Sequence, residues 1–133
     1  MLINKELLNN LTEQAKVNPR LRQHFDLRDS ENDTSQRMLN AIEPGTVIPI
    51  HRHPDTSEDV VVLRGMAEEV LFDDNGQEQA RYQLIPGGDI PAIHVPQGQW
   101  HTLRSLQPGT VIFECKNGKY DPKGMEIFIE NNI

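Results

Sequence analysis

Residues Gly45 to Gly65 read GTVIPIHRHPDTSEDVVVLRG, with His51, His53 and Glu58 set between two glycines. Further along, Pro96-Gln97-Gly98-Gln99-Trp100-His101 adds a third imidazole. On a β-strand alternate side chains share a face, so His51 and His53 point the same way. Pro54 to Ser57 has the composition of a turn. Glu58 then opens the run Asp59-Val60-Val61-Val62-Leu63, whose β-branched residues suit a strand. A hairpin or near-hairpin here would return Glu58 to the two histidines. Gly65 ends the run where a turn needs freedom in φ. His101 comes from a later strand, after a Pro-x-Gly turn. Side chains from three strands converge only where a sheet curls, as in a small barrel. That requirement constrains the chain more than any other feature of its sequence.

Three imidazoles and a carboxylate are a ligand set for one divalent transition metal ion, with Zn, Fe, Mn and Ni all compatible. They satisfy a tetrahedral ion, or leave positions on an octahedral one for water or a ligand. An His-x-His pair alone is weak evidence. The five spaced positions together arise by chance on the order of once in 10⁴ chains of ordinary composition. His51, His53, Glu58 and His101 are therefore the predicted metal ligands.

The rest of the chain reads as scaffold. Asn4 to about Lys16 predicts a helix, with Ile3, Leu7, Leu8, Leu11 and Ala15 at amphipathic spacing, Asn4 as N-cap and Pro19 closing the segment. Arg20, Arg22 and Arg28 form a short basic patch, and Asp29 to Ser35 a polar loop. Within the patch, Arg20 or Arg22 is a candidate for bidentate contact with an anionic ligand. Gln36 to Glu43 predicts a strand followed by a turn at Pro44-Gly45. One face of it carries Gln36, Met38, Asn40 and Ile42 and the other Arg37. Periodicity does not say which face is inward. Asn40 is a candidate ligand contact. Met66–Phe72 and Gln77–Leu84 flank Asp73-Asp74-Asn75-Gly76, a hairpin signal in which both central residues can take positive φ. Ile90 to Val95 is a short strand whose His94 is read as a non-ligand, and His24 is read as surface. Trp100 points away from His101 and reads as packing, as does Cys115 within Val111-Ile112-Phe113-Glu114-Cys115. Glu114 and Tyr82 are candidate acids or bases if they line the cavity. Lys119 onward is a tail carrying Met125, Ile127, Phe128 and Ile129. Pro-Gly and Asn-Gly turns recurring between short β-rich runs predict an all-β sandwich or barrel.

Composition narrows the partners. The 133 residues suffice for one domain and one core. A net charge of −7 and a pI of about 5.1 argue against a phosphate backbone as partner, so no nucleic acid is expected. Cys115 is the only cysteine, so nothing asks for an oxidising compartment. No run of about eighteen apolar residues exists to span a membrane. The N-terminus lacks the basic start and apolar core of a signal peptide. A cytoplasmic protein with no membrane partner is the expectation.

The Gly45–Gly65 stretch resembles the first motif of the cupin superfamily, and Pro96 to His101 the core of its second. The chain departs from the second motif at two positions, carrying Ile90 where the family expects Gly and Ser105 where it often has Asn. Neither removes a ligand. A narrower resemblance rests on Asn18-Pro19-Arg20-Leu21-Arg22, Gln36-Arg37-Met38-Leu39-Asn40-Ala41, Glu43-Pro44-Gly45-Thr46, His51-Arg52-His53-Pro54, Trp100-His101-Thr102, Pro108-Gly109-Thr110 and Lys119-Tyr120-Asp121-Pro122. These look like the WbuC family of cupin-fold metalloproteins, small bacterial proteins associated with O-antigen and surface-polysaccharide gene clusters. After Pro122 the sequence departs from that family's usual tail. The resemblance implies a mainly β fold: a single cupin-type double-stranded β-helix, or jelly-roll, barrel with an N-terminal α-helix. The expected division is a helix and arm over residues 1–35, the barrel over 36–118 and a tail over 119–133. Analogy with cupins also implies a homodimer, with the helix or tail supplying contacts.

Three functions stay open at this point. One is a metal-dependent cupin that binds or acts on a small polar molecule, sugar-derived by the family's genomic company, with isomerisation or epimerisation as the reaction class. The second is an iron-dependent dioxygenase. The third is a non-catalytic binding or sensor module.

Overall fold

The fold was established from a computed structural model, which describes residues 1–130. The chain runs α1 (Lys5–Val17), β1 (Arg22–Asp26), β2 (Ser35–Ile42), β3 (His51–Arg52), β4 (Glu58–Arg64), β5 (Ala67–Phe72), β6 (Glu78–Leu84), β7 (Ala92–Val95), β8 (Trp100–Ser105), β9 (Val111–Asn117) and β10 (Glu126–Ile127). Two five-stranded antiparallel sheets form, in the orders β1-β2-β9-β4-β7 and β10-β3-β8-β5-β6. This is the predicted jelly roll with its N-terminal helix. The last three residues of the predicted tail, 131–133, lie outside the described residues.

The helix forms where its caps and stripe dictate. Asn4 Oδ1 accepts from the Leu7 amide at 3.1 Å, satisfying one orphan donor of the first turn. The chain leaves helical geometry at Asn18, whose φ/ψ is extended, as expected of a residue before proline. Leu8, Leu11, Thr12 and Ala15 make one buried face. They cover Leu39, Ala41 and Val111 on the outside of the first sheet, with Phe25 and Phe113 at the edge. Burying two leucines in this way contributes about 3–6 kcal/mol. Leu21 then takes φ 57, a left-handed turn that redirects the chain from helix to β1.

That outer cluster settles the parity of β2. Leu39 and Ala41 face the helix, so Met38, Asn40 and Ile42 face the space between the sheets. There Ile42 joins Val60, Val62, Ala67, Leu84, Leu103 and Ile112 in the inner core. Two residues along each inward row the strands turn polar: Ile42 gives way to Asn40, Val60 to Glu58, Ala67 to Glu69, Leu103 to His101 and Ile112 to Glu114. One half of the barrel interior is an apolar floor, and the other is a polar chamber.

Three local readings differ from the structure. The stretch read only as a basic patch of Arg20, Arg22 and Arg28 contains edge strand β1, paired with β2 from Arg22↔Ile42 to Asp26↔Met38. Pro54 to Ser57 does not close a hairpin. It carries the chain from β3 in one sheet to β4 in the other, so Glu58 meets the histidines across the barrel. In the β5–β6 turn only Gly76 has positive φ. Asp73 there accepts from the amides of Asn75 and Gln77, both at 2.9 Å, and the register shifts at Leu71/Phe72, as in a bulged turn.

Beyond the barrel, β10 pairs with β3, and Phe128 stacks edge-on against Trp100 with centroids 5.4 Å apart. The Arg52 guanidinium lies 4.5 Å from the same indole ring. Trp100 thus packs on the outside of its sheet, opposite to His101.

Candidate metal centre

His51 lies on β3 opposite His101 on β8, its partner in the ladder. His53 follows just beyond β3, and Glu58 begins β4 in the other sheet. One ligand atom from each of the four lies within 4.8 Å of all the others. Glu58 Oε2 stands 3.3 Å from His53 Nε2 and 3.7 Å from His101 Nε2. Donors bound to one small divalent ion sit roughly 3–4 Å apart, given bonds of about 2.0–2.2 Å. The spacing therefore fits such an ion.

The unsatisfied atoms of the cluster give an independent test of that fit. Glu58 Oε2 and His101 Nε2 are buried and have no hydrogen-bond partner. Each orphaned group of this kind costs about 1–3 kcal/mol, and a cation among them removes both costs. The Nδ1 atoms of His51 and His101 are already committed. A carbonyl can only accept, so His51 Nδ1 donates to Pro49 O, at 2.8 Å, and leaves Nε2 as the ligand atom. His101 Nδ1 hydrogen-bonds to the Glu69 carboxylate. A carboxylate behind a ligating histidine fixes its tautomer and raises its basicity.

The electrostatics of His51 and Glu58 agree with this donor set. Burial, reinforced by the neighbouring His101, depresses the His51 pKa to about 4, so its imidazole is neutral at physiological pH. Burial would raise the Glu58 pKa. The His53 ring, Lys116 and His101 outweigh it and bring the carboxyl down to about 2, so it is ionised. Burial would lower His101, but the Glu69 hydrogen bond and charge carry it upward. Glu69 is itself pushed up by burial. Glu114, on the inward row of β9, is raised to about 7 by burial and by the charge of Glu58.

Arg20, Arg22 and Asn40 line one cavity of about 410 Å³, together with His24, Gln36 and Tyr120. A second cavity, of about 350 Å³, is lined by His53, Lys116 and residues of the tail from Lys119 to Met125. Gln36 and Tyr120 belong to both, so the two cavities meet at that pair. His94 stands apart, exposed and bonded to Asp59 at 2.6 Å. Tyr82 lies opposite Glu69 in the β5–β6 ladder but is 39% exposed. Cys115 is half-buried on the outward face of β9 rather than buried in a core.

Glu69 is the site residue that sequence reasoning missed. It is 0% exposed. Its signal was present: it stands two residues from Ala67, on the inward parity of a strand that also carries the outward Glu68. Read alone, Glu68-Glu69 passes for a solvated pair.

Solved structures similar to this chain share its fold. The capsular polysaccharide assembling protein CapF from Staphylococcus aureus superposes with a TM-score of 0.71 at 20% identity, covering 84% of this chain and 30% of that one. Oxalate decarboxylase from Bacillus subtilis gives 0.61 at 16%, covering 80% and 27%. KdgF from a Halomonas species gives 0.58 at 19%, covering 79% and 86%. The chain thus spans about a third of CapF and less of the decarboxylase, and at these identities the likeness concerns the fold. No curated protein matches the sequence. The fold is a cupin-type jelly roll like theirs, here with a three-histidine, one-glutamate cluster that fits a divalent metal. The chain belongs to the family described as a domain of unknown function, DUF6016, whose model matches residues 3–84.

Proposed function

We propose that this protein holds one divalent transition metal ion at His51, His53, Glu58 and His101, and uses the site to bind a small sugar-derived molecule. The observation that carries the reading is the pair of orphaned buried atoms, Glu58 Oε2 and His101 Nε2, inside a cluster whose donors lie within 4.8 Å of one another. Zn, Fe, Mn and Ni all suit the donor set. A bound ion there supplies a Lewis-acid point for an oxygen-bearing ligand.

The chain's own residues supply the rest. Glu69 orients the His101 ring, and the Pro49 carbonyl orients His51. Glu58, as a ligand, is no free base. Glu114, raised to about 7, is the inward carboxyl able to hold or release a proton near neutral pH. Arg20, Arg22 and Asn40 are the ligand contacts beyond the metal. The barrel of residues 36–118 carries the site, and the arm of 1–35 and the described part of the tail, 119–130, complete its walls. The WbuC resemblance directs the reading towards surface-polysaccharide metabolism. The capsular polysaccharide role named for CapF supports the same direction. A homodimer completes the reading, with exposed Met1, Leu2 and Ile3 at one end and Met125, Ile127 and Ile129 on the tail as its apolar contacts.

Elemental mass spectrometry of untagged wild type and His101→Ala tests the proposal. Near-stoichiometric metal in the wild type and its loss in a folded variant are expected. Equal metal in both would refute the ligand assignment. Iron, together with oxygen uptake, would move the reading to a dioxygenase. Ligand binding without turnover would make the protein a binding module.

A further inference from the structure

The larger cavity has an uneven charge. The protein carries a net charge of −7, yet Arg20 and Arg22 stand together at this cavity with no carboxylate within salt-bridge distance among the described residues. The contrast with neighbouring arginines is direct. Arg28 is held by Asp26 at 2.8 Å and lies 5.5 Å from the Tyr120 ring centre. Arg37 is held by Asp33 at 2.7 Å. Arg22 makes one long contact instead, 3.3 Å to the Val47 carbonyl. Its pKa is lowered by burial and then by the charge of Arg20. The two cations thus destabilise each other, and Glu114, the carboxylate that opposes this, makes no salt bridge with Arg22 among the described residues. At Gln36 and Tyr120 this cavity meets the second one, which His53 of the metal cluster lines. On the next strand, Asn40 presents a buried Oδ1 with no hydrogen-bond partner. An acceptor left open there suits a ligand hydroxyl.

We propose that the ligand bound beside the metal cluster is an anionic sugar, its carboxylate or phosphoryl group held by Arg22 and Arg20 and a hydroxyl by Asn40. This rests on the reading of a small sugar-derived ligand given above. Guanidinium forks match both kinds of anion, and the missing counter-charge is the one such a ligand brings.

The test is calorimetric titration of the full chain as purified, with metal content measured in parallel, using D-glucose, D-glucuronate and glucose 1-phosphate. At least one anionic probe should bind about tenfold or more tightly than glucose, the scale of one charge-assisted hydrogen bond. Arg22→Gln should lose most of that preference and Arg20→Gln part of it, both with wild-type metal content. A glucuronate preference identifies a sugar acid and a glucose 1-phosphate preference a sugar phosphate, and either supports the proposal. Glucose binding as tightly as both anions, an anion preference that survives in both variants, or no binding of any probe would overturn it. An anion preference in a wild type without metal would uphold this proposal while ending the metal reading.

Discussion

Replacing Glu69 by glutamine tests whether the polar chamber is built around a metal. Glu69 is 0% exposed and bonded to His101 Nδ1, while its second oxygen has no partner. Glutamine keeps the shape and can still accept the Nδ1 proton through its amide oxygen. What it removes is the charge behind the imidazole. Losing a partner of this kind typically weakens metal binding 10- to 100-fold, or about 1.4–2.7 kcal/mol. The metal-free protein should respond in the opposite sense. Burial already pushes the Glu69 carboxyl towards its neutral form, so a neutral isostere relieves a desolvation cost. Glu69→Gln should therefore bind metal 10- to 100-fold more weakly in competition with a chromophoric chelator, while its metal-free melting temperature stays level or rises. Unchanged metal affinity would refute the role given to Glu69. Weaker binding with a matching collapse of the metal-free fold would make Glu69 a structural residue only.

Two further outcomes concern His51 and the cover over Trp100. In the metal-free protein His51 titrates at about 4 when folded and near 6.5 when unfolded, so its contribution is complete above 6.5 and is lost as pH falls towards 4. That amounts to about 3 kcal/mol. His101, raised, works the other way: its contribution is present in acid and lost as pH climbs through its folded pKa. Metal-free His51→Gln should gain stability relative to wild type between pH 6.5 and 4.5, and parallel melting-temperature curves would contradict this. Phe128→Ala should expose Trp100, now 8% exposed and the only tryptophan, and red-shift its emission. An unchanged spectrum would mean that Phe128 does not cover the indole.

Much of this architecture is legible in local chemistry. Asn4 caps a helix, Pro19 ends it, and Gly76 makes a turn, each within a few residues of the features that decide it. The grouping of His51, His53, Glu58 and His101 is legible from spacing, because the parity of a strand and the position of a turn leave few arrangements. What could not be read depends on partners distant in the chain. In residues 22–26 the polar Arg22, Gln23, His24 and Asp26 mask the alternation of Phe25 with the flanking Leu21 and Leu27, and only the edge of β2 makes them a strand. The crossing at Pro54 to Ser57 looks like a hairpin because a turn's composition does not say which sheet receives the next strand. Asn40 was ambiguous until the helix claimed Leu39 and Ala41, and Glu69 until β8 placed His101 beside it.

The switch from apolar to polar along each inward row separates two kinds of inheritance within the same strands. Ile42, Val60, Ala67, Leu103 and Ile112 hold the sheets together, while Asn40, Glu58, Glu69, His101 and Glu114 line the chamber that the proposed function assigns to metal and ligand. A substitution in the second set changes chemistry while the floor that folds the barrel stays whole. Such a chain can exchange one ligand for another by steps that each leave a folded protein, and a designer can rewrite the chamber with the floor as an untouched foundation.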